Sequence, residues 1–154
     1  MKPIVQVILL VAVVAVCTGC PPVHCAGTNP RATEIQYSLL STTSESSGTV
    51  RIVGVVTNWG ISPFESAEGQ QTVLLYEGDK LVARQDFVDI PVDGTVEAVY
   101  EREWDPADES RPEVYMVIVV YYPEVFTDGS PSNDDCEMND NWFVRNTAGL
   151  DALF

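Results

Sequence analysis

Thr95–Trp104, TVEAVYEREW, alternates more cleanly than any other stretch of this chain. Val96, Ala98, Tyr100 and Trp104 fall on one face, with Arg102 between the last two, while Glu97, Glu101 and Glu103 fall on the other. Successive strand side chains point to opposite faces. The pattern therefore predicts a strand whose sheet is covered on one side and wet on the other, as antiparallel sheets commonly are. Val114–Tyr122, VYMVIVVYY, is apolar on both faces and predicts a strand central to its sheet.

Comparable β-rich runs occupy Thr33–Ser41, Thr49–Asn58, Gln71–Glu77, Lys80–Val88 and Asn141–Thr147, each bounded by Gly, Pro, Asp, Asn or Ser. Gly78-Asp79 predicts a tight hairpin between two of them. In the last run Trp142 and Val144 are the candidate inward residues. No segment in this part of the chain carries helical periodicity. Seven short strands separated by turn-rich loops predict an all-β fold, an antiparallel immunoglobulin-like β-sandwich over residues 33–147. Ala148–Phe154 is left as a short tail.

The N-terminal end reads differently. Met1-Lys2-Pro3 is a short positive segment, and Ile4–Val16 is apolar except for Gln6. As a helix this apolar run would span about 20 Å, short of the ~30 Å hydrocarbon core of a bilayer. It fits the apolar core of a signal peptide. Cys17-Thr18-Gly19-Cys20 follows, with small residues just before a cysteine, and resembles the lipobox of bacterial-type lipoproteins. Cys17 departs from the Leu or Val usual at its position. That resemblance implies cleavage after residue 19, acylation of Cys20 and a tether over residues 20–32.

Other uses of these cysteines fit less well. A redox C-x-x-C sits in a βαβ unit, whereas a signal core precedes this one. A c-type haem site needs His where Pro21 stands. Cys20, His24 and Cys25 could form a small soft-ligand set, but acylation would consume the Cys20 sulfur and no second ligand pair follows. Once Cys17 is cleaved away and Cys20 acylated, Cys25 and Cys136 remain as an even pair in an oxidising compartment, and a disulfide between them is expected. The first and last strands of such sandwiches run near each other, so the two can meet.

The chain carries 23 acidic residues against 8 basic ones, a formal charge of −15, and loss of Lys2 with the signal makes this one more negative. Such a balance repels phosphate backbones and anionic headgroups, which excludes nucleic acid as a partner. The catalytic inventory is poor. The single His24 lies in the tether, so a Ser-His-Asp or Cys-His arrangement is not expected. Carboxylate pairs such as Glu101 and Glu103, or Asp105 and Asp108, read as solvated surface, and no Gly-rich phosphate loop is present. The acidic loop Asp128–Asn141 lacks the calcium-loop spacing because Ser130 and Ser132 follow Asp128. Asn139, Asp140 and Asn141 are expected to bond their own backbone in a turn, so no metal site is expected, and neither is a cofactor. Trp59, Trp104 and Trp142 would make a sugar-binding platform only if exposed together.

Three segments in order resemble the CARDB family, the cell-adhesion-related Ig-like domains of bacteria and archaea. They are Val56-Thr57-Asn58-Trp59-Gly60 for its V-x-N-x-G, Val73-Leu74-Leu75-Tyr76 followed by Gly78-Asp79, and Asp134–Asn141 (DDCEMNDN) for its acidic, Asn-rich turn. Trp104-Asp105-Pro106 resembles the family's W-x-P. The likeness covers about residues 35–146. The long loop before the turn and Cys136 inside it depart from the pattern. What the resemblance implies is a non-catalytic extracellular interaction module. The expected protein is thus an exported lipoprotein, held to a cell membrane or outer membrane by lipid on Cys20 and facing the periplasm or outside. Its other partner, a protein or a glycan, is not named by the sequence.

Overall fold

The expected strands form in the computed structural model, which describes residues 25–154 apart from Glu109. In chain order they are β1 (Pro30–Thr42), β2 (Gly48–Asn58), β3 (Phe64–Glu65), β4 (Gln71–Glu77), β5 (Lys80–Asp86), β6 (Asp89–Ile90), β7 (Thr95–Trp104), β8 (Val114–Tyr121) and β9 (Trp142–Asn146). One sheet has the order β1-β2-β7 and the facing sheet the order β5-β4-β8-β9, with every pair antiparallel. This is an all-β sandwich in an immunoglobulin-like arrangement. The two-residue strands β3 and β6 pair with each other inside loops.

β7 keeps the alternation of its sequence. Ala98 and Trp104 are 1% exposed, and Glu97, Glu101 and Glu103 face solvent. β8 lies between β4 and β9, as its two apolar faces require. The core fills the space between the sheets with Val50, Ile52 and Val56 from β2, Val73 and Leu75 from β4, and Tyr115, Val117 and Val119 from β8. Each such aliphatic side chain gains about 1.5–3 kcal/mol by leaving water. Gly54 continues the inward row of β2. A Cβ there would stand 2.8 Å from Val117 Cγ2, so the missing side chain is what lets the sheets approach at that point.

β1 changes phase along its length. A bulge between Ala32 and Glu34 shifts the inward set from Ala32 to Ile35, Tyr37 and Leu39, as one extra residue must when side chains repeat every two. The strand begins at Pro30, three residues before the expected start, and Thr28 and Asn29 ahead of it are already buried. The end of the expected tether is therefore part of the sandwich.

Two expectations fail at the C-terminal end. Trp142 and Val144 do not face the core; they are 58% and 40% exposed. Directly paired strand residues share a face, and Phe143 is the residue opposite the inward Val117. Phe143 therefore packs on the core, and its two apolar neighbours point away. The expected tail is also not loose. Ala148–Asp151 forms one helical turn, α1, whose Leu150 is fully buried, and the Asp151 carboxylate accepts from the Trp104 indole at 3.0 Å.

Candidate functional site

Three segments meet at the end of the sandwich where β1 begins: residues 25–29, the loop 58–62 after β2, and residues 133–141 before β9. Cys25 and Cys136 form a disulfide, with Cα atoms 6.2 Å apart. Next to it Thr28, fully buried, donates its hydroxyl to the Asp134 carbonyl at 2.9 Å and accepts from the Cys136 N–H at 3.1 Å. A parallel bridge pairs Thr28 with Asp135.

Asn58 holds the middle of this end. It has no solvent exposure, and all its side-chain capacity is used. Its Oδ1 accepts from the N–H groups of Asn29 and Gly60, both at 3.0 Å. Its Nδ2 donates to the carbonyls of Ser62 at 2.9 Å and Ile90 at 3.0 Å. Gly60 allows the crossing: a Cβ there would lie 2.2 Å from the Gly27 carbonyl oxygen. The V-x-N-x-G residues of the sequence thus clip the N-terminal segment onto the sandwich, and the Trp59 N–H adds a bond to the Asn29 carbonyl at 2.8 Å.

The acidic turn is only partly what its sequence predicted. Local bonds exist: Asp135 Oδ1 accepts from the Glu137 N–H at 3.0 Å, and Glu137 accepts from Asn139. The three residues expected to bond their own backbone do otherwise: the Asn139 side chain donates to the Glu137 carboxylate at 2.9 Å, and Asp140 and Asn141 turn inward. Asp140 Oδ2 accepts from Asn29 Nδ2 at 3.3 Å and lies 3.6 Å from Arg31 Nε. The Arg31 guanidinium in turn lies over the Trp59 ring, 4.4 Å from its centre. The side chains of Tyr121 and Asn141 lie within hydrogen-bonding reach of the Asp135 carboxyl, and Asp140 is close enough to Asp135 for their charges to repel. Burial pushes the carboxyls of Asp135 and Asp140 and the Tyr121 hydroxyl above their ordinary pKa values.

Five oxygens of this cluster are buried without a well-aligned hydrogen bond: Asn29 Oδ1, Tyr121 Oη, Asp135 Oδ2, Asp140 Oδ1 and Asn141 Oδ1. Sequence reasoning singled out the loop but missed Asn29 and Tyr121. Neither carries a local signal, since Asn29 reads as tether and Tyr121 as the end of a core strand. Asp134, by contrast, is exposed.

The other sequence candidates do not assemble into a centre. Trp104 is buried at the opposite end of β2 from Trp59, so the three tryptophans form no single platform. Glu101 pairs with Arg51 at 2.6 Å and Glu103 accepts from Thr49, both on the solvated face. Asp105 and Asp108 each accept from backbone N–H groups two residues on. Cys20 and His24 lie outside the described residues. A half-buried network crosses the sandwich elsewhere: the Arg102 guanidinium on β7 pairs with the Glu77 carboxylate on β4, which also accepts from the Tyr115 hydroxyl at 2.8 Å.

Comparison of the chain with protein-family models, with curated proteins and with solved structures finds no match.

Proposed function

We propose that this protein is an exported lipoprotein, anchored through acylated Cys20, whose sandwich serves as a non-catalytic surface interaction module of the adhesion type. The observation that carries the reading is the Cys25–Cys136 disulfide. Such bonds persist in oxidising compartments and are rare in the cytosol. This one fastens the chain to the folded body five residues beyond the proposed anchor, so the domain would stand close to its membrane instead of swinging on a long tether. The CARDB resemblance points the same way, since Asn58 and Gly60 of its V-x-N-x-G pattern have a definite structural task in this chain.

Replacing Cys20 with Ser should release the protein from membranes into the soluble exported fraction. Continued sedimentation of that variant with membranes would overturn the lipid anchor. Capture of glycans or of other cells by the intact protein supports adhesion. A single stoichiometric protein partner would support a second reading, a structural subunit of an envelope assembly that docks by a strand edge. The observation favouring that alternative is β5, which pairs with β4 alone and leaves Leu81 46% exposed.

A further inference from the structure

The five buried oxygens belong to one run of contacts, from Asn29 to Asp140, from Asp140 to Asp135, and from Asp135 to Tyr121 and Asn141, and they share a chemical bias. Four of them, the amide oxygens of Asn29 and Asn141 and one carboxylate oxygen each of Asp135 and Asp140, can only accept when the carboxyls are ionised. A buried acceptor without a donor is costly, and here several stand together. Asn29 and Asn141 are each only 6% exposed, so bulk water does not serve them.

The second oxygen of each carboxylate is already held. Asp135 Oδ1 takes the Glu137 N–H, and Asp140 Oδ2 takes Asn29 Nδ2 with Arg31 alongside. The same Asn29 amide that steadies Asp140 leaves its own oxygen unused. Outer contacts of this kind orient the ligands of a metal.

We propose that Asn29, Asp135, Asp140 and Asn141, with the Tyr121 hydroxyl beside them, bind a calcium ion. Among the described residues no three His, Cys, Asp or Glu side chains gather as a metal-sized group; the set is two carboxylates completed by neutral oxygens. Calcium accepts such mixed oxygen shells with flexible geometry, filling the remainder with water, whereas magnesium demands a near-ideal octahedron. Softer metals prefer nitrogen and thiolate sulfur, and the two cysteine sulfurs nearby are tied in the disulfide. Two carboxylates place the affinity toward the weak, extracellular end of the calcium range, on the order of 10⁻⁴ to 10⁻³ M. The ion would join the N-terminal segment to the acidic turn at the point the disulfide already fastens. The loop spacing in the sequence argued against calcium because two of the five residues, Asn29 and Tyr121, come from outside the loop.

The test is calcium chloride titrated into the purified, chelator-treated protein with its disulfide intact, followed by calorimetry and by thermal unfolding. Saturable binding of one ion, and a rise in Tm that magnesium at equal concentration reproduces only weakly, are expected. Asp135→Asn and Asp140→Asn, near-isosteric and with their folding checked by circular dichroism, should each weaken binding at least about ten-fold. Asp134→Asn, altered at an exposed position of the same turn, should leave it unchanged. Absence of saturable binding by the unaltered protein would overturn the proposal, leaving trapped water to serve these oxygens. Unchanged affinity in both Asp135→Asn and Asp140→Asn would equally overturn it.

Discussion

Cys25 and Cys136 stand 111 residues apart in the chain, yet their Cα atoms are 6.2 Å apart and their sulfurs are joined. The bond encloses eight of the nine strands in one covalent loop and sets residues 25–29 against the turn that carries Asp135 and Asp140. Strand start and acidic turn are thereby one mechanical unit.

Opening that loop should cost much of the domain's stability. A closed loop of about 100 residues is worth up to roughly 4–5 kcal/mol in the chain-entropy model. Reduction, or Cys25→Ser together with Cys136→Ser, is expected to move the urea midpoint down by an amount equivalent to about 3–5 kcal/mol. An unchanged midpoint would mean that the bond orders only residues 25–29 and leaves the sandwich indifferent.

Asn58 should be the most sensitive polar position at this end. Asn58→Ala removes four hydrogen bonds and strands the N–H groups of Asn29 and Gly60 in a buried site, a loss of about 2–4 kcal/mol. Gly60→Ala should also destabilise, because the added methyl meets backbone atoms that cannot swing aside. Equilibrium unfolding of the two variants decides this; a loss under roughly 1 kcal/mol for Asn58→Ala would show that solvent replaces the lost bonds.

The seven expected strands were legible from their period, apolar run or flanking turn residues, whereas the two-residue β3 and β6 carry no pattern of their own. β7 carries a wet and a dry face in ten residues, and β8 announces a central place by being apolar on both. β9 was legible as a strand but not in phase. Its most hydrophobic-looking pair, Trp142 and Val144, lies on the outer face, and what decides the face is the partner Val117 across the ladder, which no local pattern reveals. The acidic turn was visible as composition, and its disulfide partner followed from counting thiols. The cluster of buried oxygens was not visible, because Asn29 and Tyr121 join Asp135 and Asp140 only through the topology that brings the start of β1, the end of β8 and the approach to β9 to one end.

The Arg102–Glu77 pair gives a test of polar chemistry between the sheets. The two side chains are 16% and 11% exposed, and Glu77 also receives the Tyr115 hydroxyl. Arg102→Met alone strands a largely buried carboxylate and should cost about 2–4 kcal/mol, whereas Arg102→Met with Glu77→Leu should recover most of that loss. A double variant no more stable than Arg102→Met would show that the pair itself, and not the abandoned charge, is what the fold needs.

Tyr37 should make the fold sensitive to alkali. Its ring lies under the Arg145 guanidinium, 4.3 Å from the ring centre, and its hydroxyl donates to the Asn146 carbonyl at 3.1 Å across the seam between β1 and β9. Burial raises its pKa to about 12, outweighing the opposing pull of the Arg145 charge. An unfolded tyrosine releases its proton near pH 10, so between about pH 10 and 12 the folded chain holds a proton that the unfolded chain has lost. Stability falls wherever the native state binds more protons as pH rises. The contribution is therefore complete below about pH 10 and gone once pH passes about 12, a loss of roughly 1–2 kcal/mol after allowing for the partial exposure of the ring. Phenolate absorbance should show one fewer tyrosine ionising near pH 10 in Tyr37→Phe only after unfolding, and the variant's stability should decline less steeply over that interval. An equal decline in both proteins would assign the alkaline loss to other groups, the buried Tyr115 and Tyr121 hydroxyls first among them.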